Sequence, residues 1–503
     1  MVVGGYLLLF LGACAAAFYL ILPLQAGQVG FDAAASVLYF DRLVQGHHLE
    51  SFVTTTPKPL LTLVYGLIYN LTGDWRAISL VVIAVFGASA VLAAMLARRF
   101  GGLQAAVFAG VAVIGSQALI EDVALSYAVV WAFAACLLAG LAVSSSRPHY
   151  GWAGLALAVG ALARFEVLLI LAAGLAVLVV TWSWARYRHG PGPDPRSWRT
   201  LIGFAAVPLQ FAHDWLLTGN PLYAEYVPVH ASLQLPIEGP LQVGSFVAQS
   251  LWKVGPLVLL AAIGTILLIR RRQWPILVGL AAMGPGVAVF LMFLAYRQIF
   301  VSSRYIAPID LAVVVAGSIG VGAIRIPDLA LAARRAASRW SPTVWVSLVA
   351  GLAGVAFSLP FAPISTTVRG TIRASLQIEE DVNVALPALR AAIAAVPGAT
   401  DWPGPTGGRQ ALLVAPAALR PQLVVDLGVP TTQIGGMPSG GVRIDGTFPV
   451  IGQVIFHDRL ADAGQALDIL EVRQATKFGK IVVTPLLADP ARGIWVDRID
   501  AAP

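Results

Sequence analysis

The stretch that decides the fold is Gly30-Phe31-Asp32, followed by the amphipathic segment Ala33–Gly46 and the turn Thr56-Pro57-Lys58-Pro59-Leu60. It comes after an almost wholly apolar run from Met1 to about Leu24, and it precedes the second apolar span. A loop of this size places an unpaired carboxylate, that of Asp32, near the bilayer surface. Such a loop is typical of an enzyme that works at a membrane face, whereas a simple channel wall has less need of it.

The composition identifies an α-helical polytopic membrane protein. Of the 503 residues, 58% are hydrophobic and only 12% are charged, which no soluble globule of this length matches. A membrane span needs about 20 apolar residues, and many stretches qualify. We predict about eleven spans, near residues 4–24, 77–97, 104–119, 125–143, 150–163, 166–184, 200–217, 246–269, 275–296, 306–324 and 343–362.

The charge distribution predicts the orientation of these spans. With the N-terminus in the cytoplasm, the cytoplasmic turns collect arginine and the opposite turns collect most of the acids, as the positive-inside rule requires. This asymmetry explains the net charge of +7 without nucleic-acid binding, and it predicts a multi-pass protein of the inner membrane. The cytoplasmic arginines are Arg98, Arg99, Arg147, Arg186, Arg188, Arg196, Arg199, Arg270, Arg271, Arg272, Arg325, Arg334, Arg335 and Arg339.

The assignment requires that Pro59–Leu71 does not cross the membrane, because a crossing would reverse the arginine bias. Its apolar residues follow a helical spacing, but the run is too short to span comfortably and its flanks are polar. We therefore expect a helix in the membrane interface, like Ala33–Gly46. Residues 1–365 form the predicted membrane domain, with these interfacial helices in the first outer loop, residues 26–76.

The composition changes near Phe361, and residues 366–503 are predicted to form a small extracytoplasmic α/β domain. Val384–Val396 is predicted to be helical, and Gln410–Ala415, Lys480–Val483 and Ile494–Asp497 to be strands. Gly435–Gly441 is predicted to be a flexible loop, because it lacks the spacing of a phosphate-binding loop.

Short motifs stand in a fixed order, and on consistent sides of the membrane, up to about residue 360. They are Gly30-Phe31-Asp32, Leu43-Val44-Gln45-Gly46-His47, Thr56-Pro57-Lys58-Pro59-Leu60, Leu71-Thr72-Gly73-Asp74-Trp75-Arg76, Ala97-Arg98-Arg99-Phe100-Gly101-Gly102, and Arg304-Tyr305 with Pro308. This layout resembles the GT-C superfamily of polyprenyl-phosphate-dependent glycosyltransferases, and most of all its branch of aminoarabinose transferases and protein O-mannosyltransferases. The resemblance implies a polyprenyl-phosphate sugar as donor and a glycan, lipid or protein as acceptor.

Asp32 is the candidate catalytic base. Transfer from a lipid-phosphate sugar requires that an acceptor hydroxyl loses a proton as it attacks, and a nearby carboxylate can accept that proton. The alternative is that Asp32 caps the helix Ala33–Gly46, and both roles are compatible. Family members often carry a second acid beside the first, whereas Phe31 and Ala33 flank Asp32 here. No cofactor is certain, and a divalent metal is left open.

The candidate ligands of the donor phosphate are Lys58, Arg304 and Tyr305. Lys58 is held between two prolines, and Arg304 lies on the side where arginine is otherwise scarce, so both are cations that could stabilise a leaving phosphate. The alternatives are a lysine that snorkels to lipid headgroups and an arginine in a structural ion pair.

Further candidates lie on the same side of the membrane. In the family, the loop with Glu121 and Asp122 often carries a second acidic site for the acceptor or a metal. A solvated loop, or Asp122 capping the fourth span, is the alternative. Arg164 and Glu166 could contact substrate or form a structural pair. His213 is more often structural than catalytic at such a position.

Two other functions compete with transfer. A transporter or lipid-linked glycan flippase would carry charges within its spans and repeated halves, but the spans here are nearly free of charge and the acids cluster at one face. A polymerase or ligase of another glycan class usually carries its large functional loop late in the chain, whereas here the elaborate loop comes first.

Overall fold

The computed structural model describes most of the membrane part of the chain and the core of the C-terminal module. The described residues are 2–21, 30–49, 55–189, 192–225, 227, 239–254, 257–299, 301, 303–322, 377, 380–395, 412–416, 420–429, 434–437, 454–458 and 481–501.

Up to residue 322 the described chain is helical. The helices are α1 (Val2–Ile21), α2 (Phe31–Gln45), α3 (Pro59–Thr72), α4 (Trp75–Ile114), α5 (Gln117–Ala124), α6 (Val129–Val143), α7 (Tyr150–Ala163), α8 (Val167–Arg188), a 3₁₀ helix (Pro195–Ala205), α9 (Ala206–Thr218), α10 (Pro240–Val254), α11 (Leu257–Arg270), α12 (Trp274–Ala281), a π-helical turn (Ala282–Gly286), α13 (Val287–Tyr296), a second 3₁₀ helix (Ser303–Ile306) and α14 (Ala307–Val321).

The helices coincide with the predicted spans from 4–24 to 306–324, while 343–362 lies outside the described residues. The predicted span 77–97 and most of the predicted span 104–119 lie in α4, which has a kink at Gly102, with φ 74° and ψ −162°. This conformation is open to glycine because it has no Cβ. The predicted span 246–269 corresponds to two helices, α10 and α11.

Three helices in the described part of the chain are long and apolar enough to cross a bilayer: Trp75–Ile114, Val167–Arg188 and Trp274–Tyr296. The remaining apolar helices are shorter, with 10–17 residues. The chain is therefore a mostly helical protein of polytopic membrane type, and the count of eleven spans stays a prediction.

The arginine-rich turns lie together at one end of the bundle, which we call the arginine end. Arg99 donates to the carbonyl of Leu141 and to Ser144, and Arg271 donates to the carbonyl of Phe100. These bonds join the turn within α4, the turn after α6 and the turn after α11. The first residues of α2, α3 and α8 lie at the opposite end, where the acids collect.

Helices α2 and α3 pack against each other at this acidic end. A side chain at Gly66 of α3 would meet the ring of Phe40 in α2 at 2.1 Å, so the two helices touch closely. Asn70 near the end of α3 donates to Asp41 of α2 at 2.9 Å. Both ends of α3 therefore contact elements of the acidic end. Its position in the membrane interface stays a prediction.

The C-terminal module is a five-stranded mixed sheet with helices. Its strands are β1 (Leu413–Pro416), β2 (Ile434–Met437), β3 (Val454–Asp458), β4 (Ile481–Asp489) and β5 (Ile494–Ala501), in the order β2-β1-β3-β5-β4. Parallel pairing joins β1 to β2 and β3, and antiparallel pairing joins β5 to β3 and β4. Residues 380–394 form helix α15, and Arg420–Leu427 form α16.

The predicted helix and strands of the module are present, and one prediction about it was wrong. Gly435 to Met437, expected in a flexible loop, form strand β2 because they pair in parallel with β1; residues 438–441 lie outside the described residues. The module packs on the membrane part through a shared apolar core, in which Leu38 and Tyr39 of α2 meet Leu389 of α15 and Leu423 of α16.

Candidate active site

Asp32 and Lys58 form an ion pair at the acidic end. Nζ of Lys58 lies 3.1 Å from Oδ2 of Asp32, and the hydroxyl of Thr55 donates to Oδ1 at 3.2 Å. The side chains of Lys58 and Asp32 are only 18% and 17% exposed. The expectation of an unpaired carboxylate was therefore wrong, because the turn before α3 folds back over the first turn of α2. Lys58 points inward and does not snorkel to the surface.

The start of α2 also excludes Asp32 as the cap of that helix. The helix begins at Phe31, so Gly30 is the N-cap and Asp32 lies in the first turn. Its carboxylate oxygens are directed to Thr55 and Lys58. The carboxylate still lies near the positive end of the helix dipole, which favours its ionised form.

Backbone contacts hold the α5–α6 turn against the start of α2. The amide of Gly30 donates to the carbonyl of Leu125 at 3.1 Å, and a Cβ on Gly30 would lie only 2.5 Å from that oxygen. The next residue, Ser126, has φ 55°. The hydroxyl of Tyr65 donates to the Ser126 carbonyl at 3.0 Å and accepts a bond from Nε1 of Trp131 at 3.0 Å.

A second network holds the Lys58 turn from the side of α9. Asp214 is fully buried, and its Oδ1 accepts a bond from Nε2 of Gln210 at 2.7 Å. The same Gln210 nitrogen lies 3.3 Å from the carbonyl of Pro57, which precedes Lys58. The other oxygen of Asp214 accepts from the amide of Ala224 at 2.7 Å. His213, at 3.3 Å from Asp214, belongs to this supporting network.

Arg164 and Glu166 form a two-pronged ion pair in the turn between α7 and α8. Their side chains are 10% and 13% exposed, and Nε of Arg164 lies 3.2 Å from Oε2 of Glu166. Burial alone would raise the pKa of Glu166, but the Arg164 guanidinium holds that pKa below its usual value, with a smaller contribution from Lys58. Arg164 also lies 5.6 Å from the centre of the Tyr305 ring.

A cavity of about 920 Å³ begins at this ion pair. Its walls come mainly from apolar residues of α6, α7, α8, α12 and α14, and it reaches Arg188 and Asp194 at the arginine end. Helix α8 forms the outer side of the cavity, and most of its own apolar residues are at least partly exposed on the surface of the protein. The cavity is therefore a long apolar space inside the bundle with a buried, charged mouth at the acidic end.

The structure gathers most of the predicted site residues at that mouth. Asp122 is buried on α5. Burial alone would lower the pKa of Arg164, but Glu166 and, to a smaller extent, the charge of Asp122 raise it. Asp122 lies inside α5 and Ala128 caps α6, so Asp122 does not cap the following span. The residues brought together are Asp32, Lys58, Asp122, Arg164, Glu166 and Tyr305.

Two predicted site residues are not placed there. In the described part of the chain, no contact brings the Glu121 carboxylate to this cluster. Arg304 shares a 3₁₀ turn with Tyr305, but its side chain lies outside the described residues. The role of Arg304 as a phosphate ligand stays a prediction.

The gathered residues do not form a metal site. Among the described residues, no three or more His, Cys, Asp or Glu side chains group closely enough to hold an ion. The Asp32 carboxylate is paired with Lys58, and the Glu166 carboxylate is paired with Arg164. The proposed reaction therefore uses side chains of the protein and no metal ion.

The sequence did not identify Thr55, Tyr65 and Gln210 as parts of the site. Each acts on a backbone carbonyl or a side chain that is distant along the chain, and a single sequence carries no signal of such a contact. For Asp214, the sequence carried one indication of a role, its position beside the candidate residue His213.

Comparison with known proteins supports the fold. No family model and no curated protein matches the chain. Among solved structures, ArnT from Cupriavidus metallidurans in the apo state superposes with a TM-score of 0.54 at 15% identity, covering 100% of this chain and 99% of that one. The same protein bound to undecaprenyl phosphate gives a TM-score of 0.51 at 14% identity, over 98% of both chains.

A second solved protein has a similar fold. The archaeal oligosaccharyltransferase AglB from Archaeoglobus fulgidus, in complex with an inhibitory peptide and a dolichol-phosphate, gives a TM-score of 0.51 at 12% identity, over 97% of this chain and 74% of that one. Both proteins are members of the GT-C superfamily. At the level of the fold, the resemblance seen in the sequence is confirmed.

Proposed function

We propose that this protein is an integral membrane glycosyltransferase that moves a sugar from a polyprenyl-phosphate donor to an extracytoplasmic acceptor. The observation that carries the proposal is the buried ion pair of Asp32 and Lys58, 3.1 Å apart, beside the mouth of a long apolar cavity. A carboxylate, a fixed cation and an apolar channel are the three features that transfer from a lipid-linked donor requires.

The cavity is the proposed site of the lipid. Its apolar walls suit a polyprenyl chain, and its reach from the acidic end to the arginine end suits a long one. Two structures with the same fold contain undecaprenyl phosphate or dolichol-phosphate, which supports a lipid of this class here. The donor phosphate would then lie at the charged mouth, near Lys58 and Tyr305, with Arg304 in the same turn as Tyr305.

Lys58 has a double role in the proposed reaction. Before the donor binds, its ammonium group pairs with Asp32. The donor phosphodiester carries one negative charge, as the carboxylate does, so it competes with Asp32 for Lys58 and weakens the bond between the ammonium group and the Asp32 oxygen. Donor binding thereby prepares the base, and Lys58 is positioned to stabilise the phosphate as it leaves.

The chemical step is a displacement at the anomeric carbon. The acceptor oxygen attacks that carbon while its proton passes to the Asp32 carboxylate. The bond from the carbon to the phosphate oxygen breaks, and the polyprenyl phosphate leaves as an anion beside Lys58. General-base catalysis of this kind contributes roughly 10²- to 10⁴-fold to the rate.

The remaining acids are assigned to the acceptor side and to structure. Asp122 is proposed to orient the acceptor, because it is buried beside the Arg164–Glu166 pair and faces the same cluster. Glu121 is proposed as a weaker contributor on the adjoining surface. Arg164 and Glu166 form the rim of the cavity, and their pair fixes the turn at its mouth.

The proposed topology has about eleven spans, a number that rests on the apolar runs of the sequence. The acidic end faces outward from the inner membrane, and the arginine end faces the cytoplasm. The N-terminus is then cytoplasmic, and the C-terminal sheet module is extracytoplasmic. The acceptor, whether glycan, lipid or protein, would approach between that module and the acidic end.

The test replaces Asp32 by asparagine. Asp32→Asn keeps the shape and the bond from Thr55 but cannot accept the proton, so we expect turnover to fall at least about a hundredfold, with donor affinity kept or increased because Lys58 loses its competing partner. Asp41→Asn is the matched control, since Asp41 lies on the same helix at the surface and bonds to Asn70. Near-wild-type transfer by Asp32→Asn would place the base elsewhere, with Asp122 the next candidate.

The same preparation separates transfer from transport. The purified protein in vesicles is given a fluorescent polyprenyl-phosphate sugar, and both release of polyprenyl phosphate and movement of the label between leaflets are measured. Transfer requires release that depends on the acceptor. Movement of intact donor without release would replace the glycosyltransferase by a lipid flippase.

A further inference from the structure

A second cavity, of about 420 Å³, lies at the arginine end, far from the ion pair of Asp32 and Lys58. It forms where the start of α7 meets the 3₁₀ helix Pro195–Ala205. Its lining combines cationic and polar side chains with apolar ones. The lining residues are Pro148, His149, Tyr150, Gly151, Trp152, Leu155, Arg196, Arg199 and Ile202.

The cations in this cavity come from Arg196 and Arg199, one turn apart on the 3₁₀ helix. Both are exposed, and in the part of the chain that the structure describes neither guanidinium has an ion-pair partner. The nearest acid in sequence, Asp194, uses Oδ1 to accept the backbone amide of Arg196 at 2.9 Å. Two guanidinium groups and the His149 ring are therefore available to an anion that enters the cavity.

The apolar part of the same cavity is unusually exposed. Trp152 is 70% exposed, Leu155 is 47% exposed and Ile202 is 45% exposed. In a protein with membrane-spanning helices, such side chains contact lipid chains. Tryptophan is enriched at the level of the lipid headgroups. The cavity thus combines an anion-binding end with a lipid-facing end, as a phospholipid headgroup and its first methylene groups require.

The two elements that form the cavity are held closely together. A Cβ on Gly154 of α7 would lie 2.8 Å from the carbonyl oxygens of Arg199 and Thr200, so only a glycine permits this approach. The backbone of Arg199 is therefore fixed relative to α7 and Trp152. The cations are presented by a fixed crossing of two helices and not by a free loop.

We propose that this cavity binds the phosphate headgroup of an anionic phospholipid of the surrounding membrane. Basic pockets between transmembrane helices on the cytoplasmic side bind such headgroups. The planar guanidinium groups of Arg196 and Arg199 match the oxygens of a phosphodiester. The site lies at the opposite end from the proposed catalytic residues, so the inference does not depend on the proposed function.

The experiment measures lipid binding to the purified full-length protein by native mass spectrometry. Phosphatidylglycerol, phosphatidylcholine and inorganic phosphate are titrated separately. The double variant Arg196→Gln with Arg199→Gln is compared with Arg270→Gln with Arg272→Gln, whose side chains are exposed at the same end but lie outside the cavity. The unfolding midpoint of each variant in detergent shows that it is folded.

We expect wild type and the Arg270/Arg272 variant to bind phosphatidylglycerol at least tenfold more tightly than phosphatidylcholine. The Arg196/Arg199 variant should lose this preference. An equal loss in both double variants would assign the preference to the general positive charge of this end and overturn the site. Equal binding of both lipids by wild type, or displacement of phosphatidylglycerol by millimolar inorganic phosphate, would also overturn it.

Discussion

Gly30 has no room for a side chain, and this fixes the position of Asp32. A Cβ there would approach the Leu125 carbonyl to 2.5 Å. Gly30→Ala should push the start of α2 away from the α5–α6 turn and lower turnover at least about tenfold, because small misplacements of catalytic groups are costly. Gly12→Ala is the matched control, since a Cβ at Gly12 would meet no atom within 4 Å. Equal turnover of both variants would contradict the proposed role of this contact.

The Arg164–Glu166 pair predicts a pH dependence of stability. The pKa of Glu166 lies below its ordinary value of 4.5, so the pair contributes stability that is present above that value and lost as the pH falls through the lowered pKa. Glu166→Gln should cost roughly 3 kcal/mol at neutral pH, because it leaves the buried guanidinium of Arg164 without a charge partner. Denaturant unfolding in detergent from pH 7 downward measures the free energy of unfolding of wild type and variant. The gap between these two free energies should narrow as the pH falls. A constant gap would contradict the assignment.

Single residues also show where sequence reasoning reached its limit. Asp32 and Lys58 could both be predicted as candidate site residues, since each stands in a motif on the acidic side, and their catalytic roles stay a proposal. Their mutual ion pair could not, because 26 residues separate them and only the folded turn brings them together. Likewise the N-cap alternative for Asp32 was decided by the helix starting at Phe31, one residue before the carboxylate.

At the scale of elements, α9 supports the turn that presents Lys58. Gln210 bridges the buried Asp214 and the carbonyl of Pro57. Gln210→Ala should loosen this turn, reducing donor affinity about tenfold and turnover less, because Lys58 contacts the proposed donor phosphate. Gln242→Ala, at an exposed position of α10, is the control. Donor titrations and initial rates measure both parameters, and unchanged donor affinity in Gln210→Ala would show that the turn holds without α9.

The docking of the sheet module on α3 predicts a second pH effect, of opposite sign. Burial raises the pKa of Asp426 in α16, although hydrogen bonds from Gln422, Tyr69 and Trp75 and the charge of Arg390 act against the rise. The folded state therefore holds the proton more tightly than the unfolded state, and this group's contribution to stability falls as the pH rises through the raised pKa.

Asp426→Asn should remove this dependence while keeping an acceptor for the Tyr69 hydroxyl, which lies 3.4 Å from Oδ1. At neutral pH we expect slower amide hydrogen exchange in strands β1 to β5 of the variant than in wild type. The difference should shrink as the pH falls and vanish well below 3.8, the ordinary pKa of this carboxyl, where Asp426 is protonated in both states. Faster exchange in the variant at neutral pH would show that the charged carboxylate stabilises the docking.

Helices and strands were predictable where long apolar runs are interrupted by charged residues or glycine. They were less predictable where pairing with a distant segment determines the structure. The break that was predicted between 77–97 and 104–119 is present as the kink at Gly102, because Arg98, Arg99 and a glycine pair interrupt the apolar run there. Strand β2 was missed because its sequence, Ile-Gly-Gly-Met, has little intrinsic strand preference and pairs only because β1 lies beside it.

For the whole molecule, charged groups and the two candidate sites divide between the two ends. The acidic end carries the Asp32–Lys58 and Arg164–Glu166 pairs and the docked sheet module, and the arginine end carries Arg99, Arg271 and the second cavity. The long apolar cavity connects them. The separation of charge was predictable from the sequence, because it follows from turns between apolar runs. The cavity was not, because it depends on how α8 packs against the helices around it.

The orientation of these two ends in the membrane is the last prediction. In a background with Cys14→Ala and Cys136→Ala, single cysteines replace Leu71 at the end of α3 and Tyr187 at the end of α8, residues that are 76% and 77% exposed. A third variant, Val482→Cys, reports on strand β4. In intact cells an impermeant thiol reagent should label positions 71 and 482 but reach position 187 only after permeabilisation, because the positive-inside rule predicts that the arginine end faces the cytoplasm. Labelling of position 187 alone would show that the protein has the opposite orientation in the membrane. Labelling of both 71 and 187 before permeabilisation would mean that the two ends do not lie on opposite sides of the membrane.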